Sequence, residues 1–455
     1  MVTVLAFLVA LALLIAVHEY GHYRMAVACG VKVLRFSIGF GKTLWRWQPQ
    51  ASGTEFVVAM IPLGGYVRML DEREGEVKEE EKHLAFNRQS LKARAAIVAA
   101  GPLANLLLAV LLYATAGWIG SQEAAPILAR PLPDSMAARA GLQGGEQVAR
   151  LSAGEREPVA VRSYEALRWM LFRAALDAEP ATLHLTVQPQ SGRQRLIRLE
   201  LGDLDVREAD ARLIRSIGLT GPLTRPVLGE ILAQGAAARA GLLAGDLVLT
   251  VDEESMVDGA QLREKIRSAT QITGEGVQQW RVQRQQQVLA LLVTPDLVAE
   301  GDRKVGKIGA YVGAPPQRVE VRYGLVEGLV HGVERTVDLS LLTLRMMARM
   351  ITGEASWKNL SGPLTIADYA GKSAQVGLVP YLVFLALISV SLGVLNLLPL
   401  PMLDGGHLMY YLWEALTGRA VNDVWMERMQ RGGVVLLVLL LSVALFNDVT
   451  RLFWG

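Results

Sequence analysis

Four long stretches of this chain lack charge, and they organise what lies between them. Val2–Val17 contains no ionisable side chain. As a helix it would rise about 1.5 Å per residue, roughly 24 Å in all, which is marginal for a hydrocarbon layer about 30 Å thick. A signal-peptide core is the other reading of such a run. Against it, Met1–Val4 carries no Lys or Arg, and no small-x-small cleavage site precedes His18. Ala95–Ile119 is also uncharged. A third stretch lies between Lys372 and Asp404, with its core at Val376–Leu398. The fourth lies between Arg431 and Asp448, where Val434–Phe446 is almost wholly aliphatic. The pattern predicts four transmembrane helices in a lipid bilayer.

Basic residues then set the orientation, because short cytoplasmic loops are rich in Lys and Arg. The first loop carries Arg24, Lys32, Arg35, Lys42 and Arg46, then Arg88, Lys92 and Arg94. The short loop before the fourth segment carries Arg419, Arg428 and Arg431. Both loops are expected to be cytoplasmic. The long 121–372 stretch is expected outside, which in a bacterium means the periplasmic side of the inner membrane.

That outer stretch repeats itself. Ala137–Leu142 reads AARAGL, and Ala237–Leu242 reads AARAGL again. Gly145-Glu146 and Gly245-Asp246 follow at equal distances. A period of about 100 residues implies two copies of one module. The sequence small-x-x-Ala-Gly-Leu-x-x-Gly-acid, ahead of a Val-rich run, resembles the PDZ domain of bacterial proteases. Such modules take an extended chain at a sheet edge. Ile217-Gly218-Leu219 is a candidate carboxylate-binding loop for the second copy, with a plain β-turn as the alternative. Between the second copy and the third membrane segment, Thr336–Ile351 reads as an amphipathic helix, with Arg345 and Arg349 four apart. It would lie on the membrane surface or pack against the modules. Leu360-Ser361-Gly362-Pro363 breaks the chain after it.

Composition agrees with a mixed protein. Of the 455 residues, 51% are apolar and 20% charged, too apolar for a soluble protein and too charged for a bare membrane bundle. The net charge of +2, with no basic run interleaved with aromatics, gives no reason to expect a nucleic-acid partner. A single cysteine, Cys29, excludes an intrachain disulfide and reads as a small apolar filler.

The chemistry sits at two points. His18-Glu19-Tyr20-Gly21-His22 is an H-E-x-x-H motif. On a helix its two imidazoles share a face and can hold one metal, with Glu19 close enough to take a proton from a metal-bound water. Two histidines and a carboxylate at the end of an apolar segment are costly without a task. Near the other end stands Asn396-Leu397-Leu398-Pro399-Leu400-Pro401-Met402-Leu403-Asp404-Gly405-Gly406-His407. Asp404 can supply a third ligand and leave one position open. The first and third segments both run inward, so His18, His22 and Asp404 emerge on the same face. Phe36–Gly41 and Met60–Val67 flank an expected hairpin whose Gly39, Gly41, Gly64 and Gly65 would admit another backbone. His407 is a candidate partner of Asp404 or a structural residue.

The paired motifs, with a repeated module between four membrane segments, resemble the site-2 protease family over essentially the whole chain. That resemblance implies Zn²⁺ as cofactor, His18, His22 and Asp404 as its ligands, and Glu19 as general base. It implies a substrate-binding or transition-state role for Asn396, and a membrane-associated hairpin that offers an edge to the substrate. Implied substrates are single-pass membrane proteins, an anti-sigma factor of the envelope stress response and leftover signal peptides among them, already trimmed by an upstream protease. The expected architecture is a multi-pass α-helical membrane protein with two tandem PDZ-like, mainly β domains between its second and third helices. Its expected divisions are 1–120, 121–220, 221–315, 316–372 and 373–455. A non-catalytic membrane adaptor that recruits C-termini is the alternative reading.

Overall fold

The uncharged opening run has no helix breaker, and helix α1 (Val2–Ala28) carries it past His18 until Gly30 turns the chain at φ 77°. The computed structural model describes residues 2–49, 53–176, 182–189, 192–200, 216–269, 276–300, 303–353 and 362–454. After α1 come strands β1 (Val33–Trp47) and β2 (Glu55–Met69), then helix α2 (Leu91–Ile119). There follow β3 (Ser121–Ala124), α3 (Met136–Arg139), β4 (Gln147–Ala153), β5 (Val159–Ala160), α4 (Tyr164–Leu176), β6 (Thr182–Gln188) and β7 (Arg195–Glu200). Next are β8 (Leu228–Ile231), α5 (Ala236–Arg239), β9 (Leu247–Val251), β10 (Glu254–Ser255), α6 (Gly259–Arg267), β11 (Gln278–Arg284) and β12 (Gln287–Val293). Short strands β13 (Asp296–Glu300), β14 (Arg303–Lys307), β15 (Ala310–Val312) and β16 (Arg318–Val321) complete that stretch. The chain ends in α7 (Leu325–Ile351), α8 (Pro363–Val376), α9 (Leu378–Asn396), α10 (Asp404–Thr417) and α11 (Asp423–Trp454). Two compact units result: Met1–Ser121 with Arg322–Gly455, and Gln122–Val321.

Among the described residues of the first unit, four helices are long and apolar enough to cross a membrane: Val2–Ala28, Leu91–Ile119, Leu378–Asn396 and Val424–Thr450. The marginal first segment is thus 27 residues long, because the metal motif continues the helix rather than ending it. The third is shorter than its apolar run, since Gly377 at φ 147° separates α8 from α9. The fourth is a helix well beyond its aliphatic core.

Helix α2 is the hub, and α1, α7, α9 and α10 all pack on it. Small residues allow the close approaches. A Cβ on Gly393 of α9 would lie 3.0 Å from the Pro102 carbonyl, and one on Gly332 of α7 would lie 2.5 Å from the Val110 carbonyl. The expected amphipathic helix therefore starts at Leu325, earlier than its charge pattern suggested, and lies along α2. Of the predicted break after it, Leu360 and Ser361 lie outside the described residues.

The hairpin is more folded than a simple pair. Phe36 of β1 has two partners in β2, Val67 and Phe56, and Trp47 returns to pair with Phe56 as well. Each strand thus curls back on the other.

The second unit holds two hydrophobic cores. Sheet β5-β4-β6-β7 and helix α4 enclose the first, around Leu167, Leu171, Leu183 and Leu185. Sheet β10-β9-β11-β12 and helix α6 enclose the second, around Val248, Leu262 and Trp280. The repeated hexapeptide closes the same turn in both. Leu142 N donates to the Ala137 carbonyl at 3.1 Å, and Leu242 N to that of Ala237 at 3.0 Å. Gly145 N reaches the Leu128 carbonyl at 2.7 Å, and Gly245 N that of Leu228 at 2.8 Å. The acid of each copy is buried and bonded to loop amides and an arginine: Glu146 to Arg195, Asp246 to Arg284.

One expectation is corrected here. Ile217-Gly218-Leu219 belongs to the first copy, where Ile217 and Leu219 are buried in the core and the Gly218 carbonyl accepts from Leu132 N at 3.2 Å. In the second copy Gly309 takes that place and accepts from Leu232 N at 2.8 Å. The last segment of each copy closes its own core, so the tripeptide that precedes the second copy in sequence packs into the first.

Candidate metal centre

Both histidines of the H-E-x-x-H motif project from the second half of α1. His18 Nε2 and His22 Nε2 lie 3.2 Å apart. Asp404 Oδ2 is 3.2 Å from the former and 3.5 Å from the latter. Among the described residues these three are brought close enough to share one ion. Their spacing fits a tetrahedral zinc site. Bonds of about 2.1 Å to N and O ligands would place neighbouring donors about 3.4 Å apart, with one corner left for water or substrate. The imidazole Nδ1 of His22 faces the Ile97 carbonyl at 2.9 Å, so it carries the proton and Nε2 presents a bare lone pair.

Asp404 reaches this point because the chain breaks. Helix α9 ends at Asn396, Pro399 and Pro401 prevent it from continuing, and Met402 takes φ 81°, in the left-handed region that costs a non-glycine residue about 1–2 kcal/mol. Helix α10 then begins at Asp404 itself. Gly405 and Gly406 are boxed in by the Leu398 and Leu400 carbonyls, so a Cβ at either would collide. Helix α10 is tied to α2 by Arg94, which bonds Glu414 at 2.7 Å and lies 5.0 Å above the Tyr411 ring.

The other predicted residues fall into place unevenly. Glu19 is half-buried, and a Cβ on Gly65 would lie 2.8 Å from its Cγ, so the curled sheet leans on the stem of this side chain. Gly39 and Gly41 take φ 91° and 86°. A Cβ on Gly39 would meet the Ile61 carbonyl at 2.8 Å, and one on Gly64 would meet the Phe40 ring. The approaches visible at these two glycines are thus to the chain's own backbone and side chains. Asn396 is half-buried at the end of α9, and its side chain bonds to none of the described residues. His407 is not in the triangle; its ring meets Tyr410 edge-on at 6.0 Å, and burial holds its imidazole below the ordinary pKa. Cys29 packs beside Ala26, Val31 and Ile97 as a filler.

Sequence reasoning found α2 as a spanning helix but missed its part in the site. Gly101 faces the His22 ring so closely that a Cβ there would lie 2.6 Å from His22 Cε1. Asn105, fully buried, sits 3.2 Å from His18 Nδ1. The signal was present: Asn105 is a lone amide in an otherwise apolar membrane segment, where polar groups are costly.

Two histidines on a helix apolar enough to span a membrane, closed into a triangle by a carboxylate from α10, are a donor set suited to a membrane metallopeptidase, and the comparisons agree. The chain belongs to peptidase family M50, the site-2 protease family, whose model matches residues 6–440. It is similar along nearly its whole length to the regulator of sigma-E protease RseP of Escherichia coli, 39% identical over 454 residues that cover 98% of each chain. The regulator of sigma E protease of Salmonella typhi is 39% identical over 458 residues, again 98% of each. A Ralstonia nicotianae protein named "Putative zinc metalloprotease" is 40% identical over 469 residues, covering 100% of this chain and 99% of its own. The chain is accordingly a zinc metalloprotease of the membrane.

Proposed function

We propose that the chain hydrolyses peptide bonds in or beside the transmembrane segments of single-pass membrane proteins, with His18, His22 and Asp404 holding Zn²⁺. The observation that carries this reading is the triangle of Nε2, Nε2 and Oδ2 atoms at 3.2–3.5 Å. Bound there, Zn²⁺ supplies Lewis acidity toward water and the scissile carbonyl. Glu19 takes the proton of the attacking water and delivers it to the departing amine, so that one C–N bond breaks as one C–O bond forms. The contact of Gly65 with the Glu19 side chain supports a substrate strand laid along the sheet, near Gly39, Gly41, Gly64 and Gly65. Asn396, whose amide is uncommitted among the described residues, is suited to hold that strand or the developing oxyanion.

The relatives' names, which say regulator of sigma E, favour a substrate that controls a sigma factor, for which an anti-sigma factor is the reading carried over from the family resemblance. Leftover signal peptides, as a second class, and an upstream protease that trims both rest on that resemblance alone. The two repeated modules are read as PDZ-like domains on the periplasmic side, with the metal near the cytoplasmic face of the inner membrane. They would limit access to substrates already shortened outside. The loop Ile217-Gly218-Leu219 would serve the first module in any capture of a C-terminus, and Ile308-Gly309-Ala310 the second.

The test uses purified protein and a model transmembrane substrate. Glu19→Gln should keep its zinc and lose cleavage, whereas His18→Ala should lose both. Equal cleavage by Glu19→Gln and wild type would remove Glu19 from the mechanism.

A further inference from the structure

Asn105 of α2 stands where three helices meet. Its side-chain amide faces His18 Nδ1 of α1 at 3.2 Å, and its main-chain carbonyl accepts the Ser389 hydroxyl of α9 at 2.7 Å. Both Asn105 and Ser389 are fully buried. The two ends of a primary amide are nearly the same size, so hydrogen bonding alone decides which one faces the ring. With Nδ2 toward His18, Oδ1 is buried with no partner. That orientation also makes Nδ1 an acceptor and forces the ring proton onto Nε2. Nε2 is the atom that points at Asp404 and His22, where a proton would exclude a metal ion. With the ends exchanged, Nδ2 stands in that unpartnered place instead, but Oδ1 accepts from Nδ1–H and the Nε2 lone pair is free, so the ring decides between them.

We propose that Asn105 is a positioning residue for metal binding, which holds His18 through Oδ1 in the tautomer and ring orientation that turn Nε2 toward the ion. This rests on the metal-site reading above and deepens it. Helix α2 then treats both histidines alike: a carbonyl oxygen of its backbone takes the Nδ1 proton of His22, and the amide oxygen of one side chain takes that of His18. Outer partners of this kind shift metal affinity by about 10–100-fold.

The experiment measures zinc affinity of the full-length protein in detergent, by competition with a chromophoric chelator, together with the visible spectrum of the Co²⁺-loaded form. Neither readout needs activity. Asn105→Leu keeps the branching and number of side-chain heavy atoms but removes the acceptor, and zinc affinity should fall about 10–100-fold. Asn105→Asp restores an acceptor at the same place, and it should bind zinc within about threefold of wild type with an unchanged Co²⁺ spectrum. Asn105→Ala replaces the leucine variant should that fail to fold. Wild-type affinity in the leucine or alanine variant would overturn the proposal and leave the metal site standing. So would an equal loss in the aspartate variant. A wild-type protein that binds no zinc would overturn the metal site and this inference together.

Discussion

Replacing Gly101 with alanine tests whether the metal centre is as tightly boxed as its geometry states. The new Cβ would lie 2.6 Å from Cε1 and 2.8 Å from Cδ2 of His22, with Nε2 closer still. Carbon atoms rest at about 3.5 Å or more, so the ring must retreat by about 0.9 Å. It has little freedom to do so. His22 is buried, and its Nδ1 is bonded to the Ile97 carbonyl at 2.9 Å. A metal bond tolerates about 0.2 Å of displacement. The substitution should therefore lower zinc affinity by at least about 10-fold and cleavage by about 100-fold, while overpacking costs roughly 1–3 kcal/mol of stability. Zinc retention against a chelator and cleavage of a model transmembrane substrate report the two effects. Gly432→Ala, which meets nothing within 4 Å, is the matched control and should change neither. Zinc content and cleavage at wild-type levels in Gly101→Ala would refute the reasoning.

Further outcomes follow from other buried groups. Asp448 of α11 accepts from Gly362 N, Leu364 N, Thr365 N and the Thr365 hydroxyl, at 2.5–3.1 Å. Asp448→Ala should orphan the start of α8 and cost about 2–3 kcal/mol, read as a lower thermal midpoint in detergent; an unchanged midpoint would contradict the clamp. Burial alone would raise the Asp246 carboxyl, but Arg284 and the Leu243 amide outweigh it and hold the group below its ordinary 3.8. Its contribution is thus fully present above pH 3.8 and is lost as pH falls through the lower folded value. Protection of the β9 amides from hydrogen exchange, taken relative to the intrinsic rate at each pH, should fall in that acid window in wild type, and Asp246→Asn should flatten the dependence; identical acid profiles would sink the assignment.

Much of this molecule can be read from its sequence, for identifiable reasons. Long uncharged runs and H-E-x-x-H are local signals, so the spanning helices and His18, His22 and Glu19 stand out without any knowledge of packing. The exact repeat of AARAGL announced the doubled module because each copy closes the same turn. What escaped depends on contacts between distant segments. Gly101 and Asn105 have no spacing rule that ties them to residues some 80 positions earlier; only the packing of α1 on α2 does. Adjacency in sequence assigns Ile217-Gly218-Leu219 to the second copy, but the buried side chains of Ile217 and Leu219 belong to the first. The curl of β1 and β2 was likewise invisible, since one strand that pairs twice leaves no periodic mark.

The metal triangle joins two ends of the chain, with about 380 residues between His22 and Asp404. A ribosome adding roughly 5–20 residues per second needs about 20–80 s to make that stretch. Throughout that interval the nascent chain holds His18, Glu19 and His22 without Asp404. Splitting the triangle across the insertion thus acts as a delay: its three donor atoms can meet only after everything between them has been made.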